Sequence, residues 1–254
     1  MKIFTRKSTK ECNKKAFEIV KSQVLVKPDL LIGLAVGKTT DDLHKLISND
    51  AAKNPSIWKK IKLFQIDENL GLSSQHSLSF NFEIRKELKN LFKITNPKNI
   101  FLIDGVQNPK ITIKEGYKFI KNNKGIDLII LGLGPEYDPH IAYNTTGKSS
   151  LNSTMRVVDL HPKIVKKLMG ETCHGMSQQK APQKASTKGI TLGIKDILET
   201  KKALLIAFGK DKAKSVSLAL NKKINMKKAS ASALLLHKDL IVVLDKDAGN
   251  DLIK

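Results

Sequence analysis

The stretch Ile126–Asn144, IDLIILGLGPEYDPHIAYN, decides the fold. Its apolar run, Leu128–Leu133, is broken by Gly132 and closed by Gly134. A short apolar run ending in glycine reads as a buried parallel strand that enters a tight loop. The loop then sets Asp138 and His140 two residues apart, beside Tyr143 and Asn144. In an open parallel sheet, ligands bind beyond the carboxyl ends of the strands. A carboxylate and an imidazole there form a candidate proton-transfer pair. Taken alone, an Asp-x-His loop is more often a turn with a local hydrogen bond.

The same grammar recurs on either side. Leu30–Val36 is a strand running into Gly37-Lys38-Thr39-Thr40, followed by a helix from Asp41 to about Asn54. Lys60–Ile66 ends on Asp67-Glu68, and Asn99–Ile103, Ala203–Phe208 and Asp239–Leu244 are further short apolar runs. Glu11–Val24, Ser77–Phe92, Ile111–Asn122, Gly193–Glu199 and Asp211–Leu220 read as the intervening helices. This alternation predicts an α/β fold with a doubly wound, mainly parallel sheet and helices on both faces, in one domain over residues 1–254. The Gly-, Ser-, Gln- and Lys-rich segment 163–188 is expected to form a mobile lid over the site.

Composition narrows the function. Lys+Arg is 45 against 24 for Asp+Glu, a net charge of +21. The lysines are spread along the chain, and aromatics are only 5%, leaving few platforms for stacked bases. No nucleic-acid partner is expected; the excess charge suits an anionic substrate. The cysteines, Cys12 and Cys173, form no metal-type spacing and no disulfide framework. With no signal-like N-terminus and no run of about 18 apolar residues, a cytoplasmic protein without membrane contact is expected.

Three strand ends carry candidate chemistry. Gly37-Lys38-Thr39-Thr40 suits a phosphate at a helix N-terminus but lacks the P-loop pattern; Thr39 or Thr40 as a plain N-cap is equally compatible. Asp67-Glu68 offers a general base or, more blandly, a helix cap. Gly132–Tyr137 fails the dinucleotide fingerprint because Tyr137 stands where the last glycine belongs. Cys173-His174 lacks the distant partners a metal needs, and His44, His76, His161 and His237 read as surface or structural.

Together and in this order, LAVGKTTDDLHKL, FQIDENLGLSSQHSLSF, GLGPEYDPHIAYNTT and STKGITLGIKDIL resemble the glucosamine-6-phosphate deaminase/isomerase family, whose relatives include 6-phosphogluconolactonases. The resemblance covers nearly the whole chain. It implies an aldose–ketose isomerase acting on a 6-phosphorylated amino sugar, with no metal or organic cofactor. Asp67 would move the proton between C1 and C2, and His140, oriented by Asp138, would assist ring opening. Gly37, Lys38, Thr39, Glu68 and Lys188 would bind the substrate. Relatives are often oligomers, so a homo-oligomer fits the resemblance, although no interface signal stands in the sequence.

The chain departs from the family pattern at specific places. Its Asp-Gly-His-Ile-Ala-Phe-Asn-Glu-Pro segment has Pro139 for glycine and Thr145 for glutamate here, after an inserted-looking Pro135-Glu136-Tyr137. The aromatic residue that follows Asp-Glu is Asn69, and Lys38 and Thr40 replace a small residue and a proline. Glu136 is one replacement for the lost carboxylate; a changed sugar or lost catalysis are the others. The rival functions are a lactonase, against which Asn69 in place of that group's arginine argues, and a non-catalytic sugar-phosphate binder.

Overall fold

The computed structural model describes all residues except 167, 169–186, 222 and 253–254. The expected lid falls almost entirely on these, as do Cys173 and His174, and so lies outside the described residues. The strands are β1 (Lys2–Arg6), β2 (Leu31–Leu34), β3 (Lys62–Gln65), β4 (Asp67–Asn69), β5 (Ile100–Phe101), β6 (Leu128–Gly132), β7 (Arg156–Asp159), β8 (Lys188–Thr191), β9 (Ala203–Ala207) and β10 (Leu240–Asp245). The α-helices are α1 (Thr9–Val26), α2 (Asp41–Lys53), α3 (Pro55–Trp58), α4 (Phe80–Glu87), α5 (Lys89–Ile94), α6 (Pro109–Asn122), α7 (Ile194–Leu198) and α8 (Ala213–Leu220). Among the described residues, no helix is long and apolar enough to cross a membrane.

Seven strands form one sheet in the order β1-β10-β9-β6-β2-β3-β5, and every pairing in it is parallel. Side chains alternate between its faces. Leu31, Ile129, Leu131, Leu205 and Val242 enter one core with residues of α6, α7 and α8. Ile32, Leu34, Ile130, Leu204 and Val243 enter the other with residues of α1, α2 and α4. Ordering a backbone residue costs about 1–2 kcal/mol, and burying a Leu or Ile returns about 1.5–3 kcal/mol. The inner strands persist, short as they are, because nearly every side chain is buried on one face or the other. That is also why they read as unbroken apolar runs rather than as alternation.

The chain leaves β2 toward β3 and β5 and then returns to β6 on the other side of β2. This reversal opens a crevice beyond the carboxyl ends of β2 and β6, where ligands bind in such sheets.

Two features escape sequence periodicity. β1 is an edge strand whose exposed Lys2 and half-buried Arg6 hide its pairing with β10. The second is a three-stranded antiparallel sheet, β4-β8-β7. Asp67-Glu68 is therefore not a loop; it starts β4, in register with Thr191 and Ile190 of β8. Strands of three and four residues reading DEN, RVVD and KGIT offer no period to recognise. The Ser77–Phe92 helix is divided at Leu88 (φ −95°, ψ 24°) into α4 and α5.

The turn after β5 holds β4 in place by close backbone approach. A Cβ at Gly105 would lie 2.4 Å from the carbonyl oxygens of both Asn69 and Leu72. Gly105→Ala is therefore expected to destabilise the protein by about 1–3 kcal/mol, read as a lower midpoint in urea unfolding.

Candidate active site

The crevice is a cleft of about 860 Å³, lined by the loops after β2 and β6, by Asp67, by α4, and by Phe208, Asp211 and Lys212 beyond β9. Each loop comes from the carboxyl end of a parallel strand, so residues far apart in sequence converge.

Asp67 and Glu68 sit at the corner where the chain passes from one sheet to the other, and the two carboxyls have opposite surroundings. Glu68 is fully buried. Its Oε1 accepts the N–H groups of Asn69 (2.7 Å) and Phe80 (2.9 Å). Its Oε2 accepts from Asn81 N–H (2.7 Å), the Ser79 hydroxyl (2.9 Å) and Gln65 Nε2 (3.0 Å). Burial raises its pKa, and these donors oppose the rise. With donors on both oxygens, the ionised form is the one the network accommodates. Ser79 is the N-cap of α4, so Glu68 ties the start of that helix to β4.

Asp67 lines the cleft and is 4% exposed, and its buried Oδ1 has no hydrogen-bond partner among the described residues. Burial, followed by repulsion from Glu68, pushes its carboxyl well above the ordinary range. A buried carboxyl with a raised pKa and an uncommitted oxygen is equipped to take a proton from carbon and return it.

Across the cleft, His140 Nδ1 pairs with Asp138 Oδ2 at 2.9 Å. Asp138 Oδ1 accepts the Thr146 N–H at 2.8 Å. Burial opposes ionisation of Asp138, but the hydrogen bond and charge of His140, together with Thr146, outweigh it and hold the carboxyl below its usual pKa. The loop has no room at Gly134, where a Cβ would lie 2.3 Å from Asp138 O and 2.8 Å from His140 Nδ1. The pairing orients the ring for proton exchange within the cleft.

The loop after β2 lines the cleft at the N-terminus of α2. Gly37 adopts φ +143°, and a Cβ there would meet nothing within 4 Å, so it is the backbone angle that favours glycine. Thr40 is the N-cap of α2, but its hydroxyl donates back to Gly37 O at 2.9 Å instead of capping the helix amides. Lys38, Lys86, Lys163 and Lys212 line the cleft. Lys212 Nζ donates to Leu133 O at 2.7 Å, and burial lowers its pKa.

Asp41, Glu83 and Glu87 bring carboxylate oxygens within 4.8 Å of one another beside the N-terminus of α2. Burial, then mutual repulsion, pushes Asp41 up to about 6 and Glu83 up to about 7. His44, fully buried, is pushed down to about 4, so its 2.6 Å contact with Glu87 joins a neutral ring to that cluster.

The structure thus brings Gly37, Lys38, Thr39, Asp67 and His140 to one cleft, with Asp138 behind His140. It separates two expected substrate ligands from them. Glu68 does not face the cleft, because all of its accepting capacity is used by the chain. Lys188 opens β8 and is not among the described residues lining the cleft. Glu136 is exposed, and neither it nor Thr145 lines the cleft. Sequence reasoning passed over Lys212, although AFGKDKA repeats the strand–glycine–helix grammar; it also passed over Glu83 and the packing role of Tyr143. Replacing Glu68 by alanine orphans several buried donors and is expected to cost about 3 kcal/mol or more, whereas Glu68→Gln keeps part of the network and costs about 1–2 kcal/mol; equilibrium unfolding of both variants measures the difference.

Comparison with known proteins shows the family and the fold. The family model for glucosamine-6-phosphate isomerases/6-phosphogluconolactonase matches residues 5–241. A glucosamine-6-phosphate deaminase of Clostridium botulinum (strain Langeland / NCTC 10281 / Type F) is 34% identical over 253 residues, 99% of each chain. One of Clostridium novyi (strain NT) is 36% identical over 254 residues, 99% of this chain and 100% of the relative. The solved structure of a monomeric glucosamine-6-phosphate deaminase superposes with a TM-score of 0.83 at 26% identity, covering 99% of this chain and 100% of that one. A 6-phosphogluconolactonase from Leishmania guyanensis shares the fold, with a TM-score of 0.73 at 16% identity, covering 100% of this chain and 99% of the other. The chain belongs to the glucosamine-6-phosphate isomerase/6-phosphogluconolactonase family.

Proposed function

We propose that this protein converts glucosamine-6-phosphate and water to fructose-6-phosphate and ammonia. The observation that carries the reading is the buried carboxyl of Asp67, with an oxygen unpaired among the described residues, in a cleft also lined by an Asp138-oriented imidazole and by lysines. Such a carboxyl suits proton transfer between neighbouring carbons, and Asn69 stands where the lactonase group has an arginine.

The phosphate occupies the Gly37–Thr39 loop and Lys212. His140 takes the C1 hydroxyl proton and returns one to the ring oxygen, opening the sugar. Asp67 then removes the C2 proton while the C2 ammonium gives one to the C1 oxygen, leaving an enolamine, and Asp67 returns its proton to C1 to give the protonated imine at C2. The resulting C2 imine is hydrolysed, releasing ammonia and leaving the 2-ketone. The C2 proton is acidified by the C1 aldehyde, so a carboxylate made more basic by burial suits the step.

Purified protein is expected to release ammonia and fructose-6-phosphate from glucosamine-6-phosphate and to leave 6-phosphogluconolactone unhydrolysed; lactone hydrolysis alone would overturn the reading. Lys212→Met is expected to raise KM about 10–100-fold with little change in kcat, in keeping with one lost charge-assisted bond to phosphate.

Asp67→Asn is expected to slow exchange of the C2 proton with solvent by about 10³-fold or more. The fold prefers the protonated Asp67 carboxyl, so stability is lost as pH rises through its raised pKa. Asparagine lacks that cost. The variant is therefore expected to melt above the wild type at pH 7, with the gap narrowing as pH falls toward the ordinary value of 3.8; calorimetry across pH checks the sign.

A further inference from the structure

Ala142 adopts φ +48°, a left-handed conformation that alanine enters only where its surroundings hold it. It stands between His140 and Tyr143, and all three line the cleft. Tyr143 is fastened at two points to the strand pair that carries Asp67. Its backbone N–H donates to Thr191 Oγ1 at 3.1 Å, and Thr191 lies opposite Asp67 in the β4–β8 register. Its phenol donates to Asn69 Oδ1 at 2.7 Å, two residues past Asp67 and thus on the same face of β4.

The surroundings leave the ring little freedom. It stacks on Phe80 at 5.6 Å between centroids. A Cβ at Gly189, the residue opposite Asn69, would come within 2.9 Å of Tyr143 Cδ2. Asn69 is itself fixed, since it is 1% exposed and its Nδ2 donates to Leu78 O at 3.0 Å. Both partners mark departures from the family pattern given above, which has an aromatic residue after Asp-Glu and phenylalanine before the asparagine. Here an amide and a phenol stand at those places, and they meet.

We propose that Tyr143, through its hydrogen bond to Asn69, is a positioning residue that fixes the His140 loop against the Asp67 strand and sets the separation of the two proton-transfer groups. The kinetic consequence rests on the function proposed above; the structural consequence does not. Tyr143→Phe keeps the ring and removes the hydroxyl, and Asn69→Leu removes the acceptor at similar volume.

With glucosamine-6-phosphate, each single variant is expected to lower kcat about tenfold while KM stays within about twofold, because displacement of a catalytic group costs rate more than binding. The double variant is expected to be no slower than the worse single variant, since both remove the same bond. Nuclear magnetic resonance of the His140 ring nitrogens in the ligand-free protein reports the setting of the ring without turnover, and both variants are expected to shift these signals in the same direction. Unmoved His140 signals would overturn the proposal whatever the activity, as would additive losses in the double variant or a rise in KM at constant kcat. A wild type inert toward glucosamine-6-phosphate would overturn only the functional reading, and the His140 signals would then decide the positioning claim.

Discussion

The site depends on one electrostatic asymmetry at the corner between the two sheets. Two adjacent carboxylates are buried there, which is costly unless each is paired. Glu68 is paired completely, by backbone N–H groups, a serine hydroxyl and a glutamine amide. Asp67 is left with an oxygen that no group among the described residues satisfies. The fixed charge of Glu68 both anchors α4 and raises the proton affinity of its neighbour. Stability is thus concentrated in one carboxyl and reactivity in the other, within two residues of sequence.

The rest of the fold converges on that corner. The order reversal at β2 opens the cleft, and β4 delivers Asp67 into it by leaving the parallel sheet at the end of β3. Gln65 spans the junction: its Nε2 donates to Asp67 O at 2.7 Å, and its Oε1 accepts the Ile103 N–H at 2.9 Å. Glycines at 105 and 134 allow backbone approaches that any side chain would block. On the opposite wall, Asp138 orients His140 while Tyr143 binds that loop back to β4. The proton-transfer groups are held by separate elements that are hydrogen-bonded to one another, so their spacing belongs to the fold rather than to a single loop.

Much of this was legible in the sequence. Apolar runs ending in glycine located β2, β6 and β9 because both faces of the sheet are covered. The carboxyl ends of such strands are where ligands bind, which made Gly37, Asp67 and His140 candidates, and the family resemblance supplied their expected roles. The losses have a common cause. Glu68 and Asp67 are alike as letters, and only the three-dimensional supply of donors from residues 65 to 81 tells cap from base. Lys188 held a family position, but the register of β8 sets it one residue beyond the end of β4. The Tyr143–Asn69 bond joins residues 74 apart, a distance over which a single sequence carries no pairing signal. The antiparallel sheet was invisible because its strands are too short and polar to show a period.

Asp67 is the carboxyl whose proton affinity the fold raises, while Glu68 stays committed to structure. The direct test is a carbon-13 titration of the aspartate side-chain carboxyls by nuclear magnetic resonance, with Asp67 assigned by its loss in Asp67→Asn. The account predicts that the Asp67 signal titrates well above the ordinary carboxylate range. Titration of Asp67 at the ordinary value would mean that the carboxyl is solvated or paired, and would contradict the assignment of base and anchor made here.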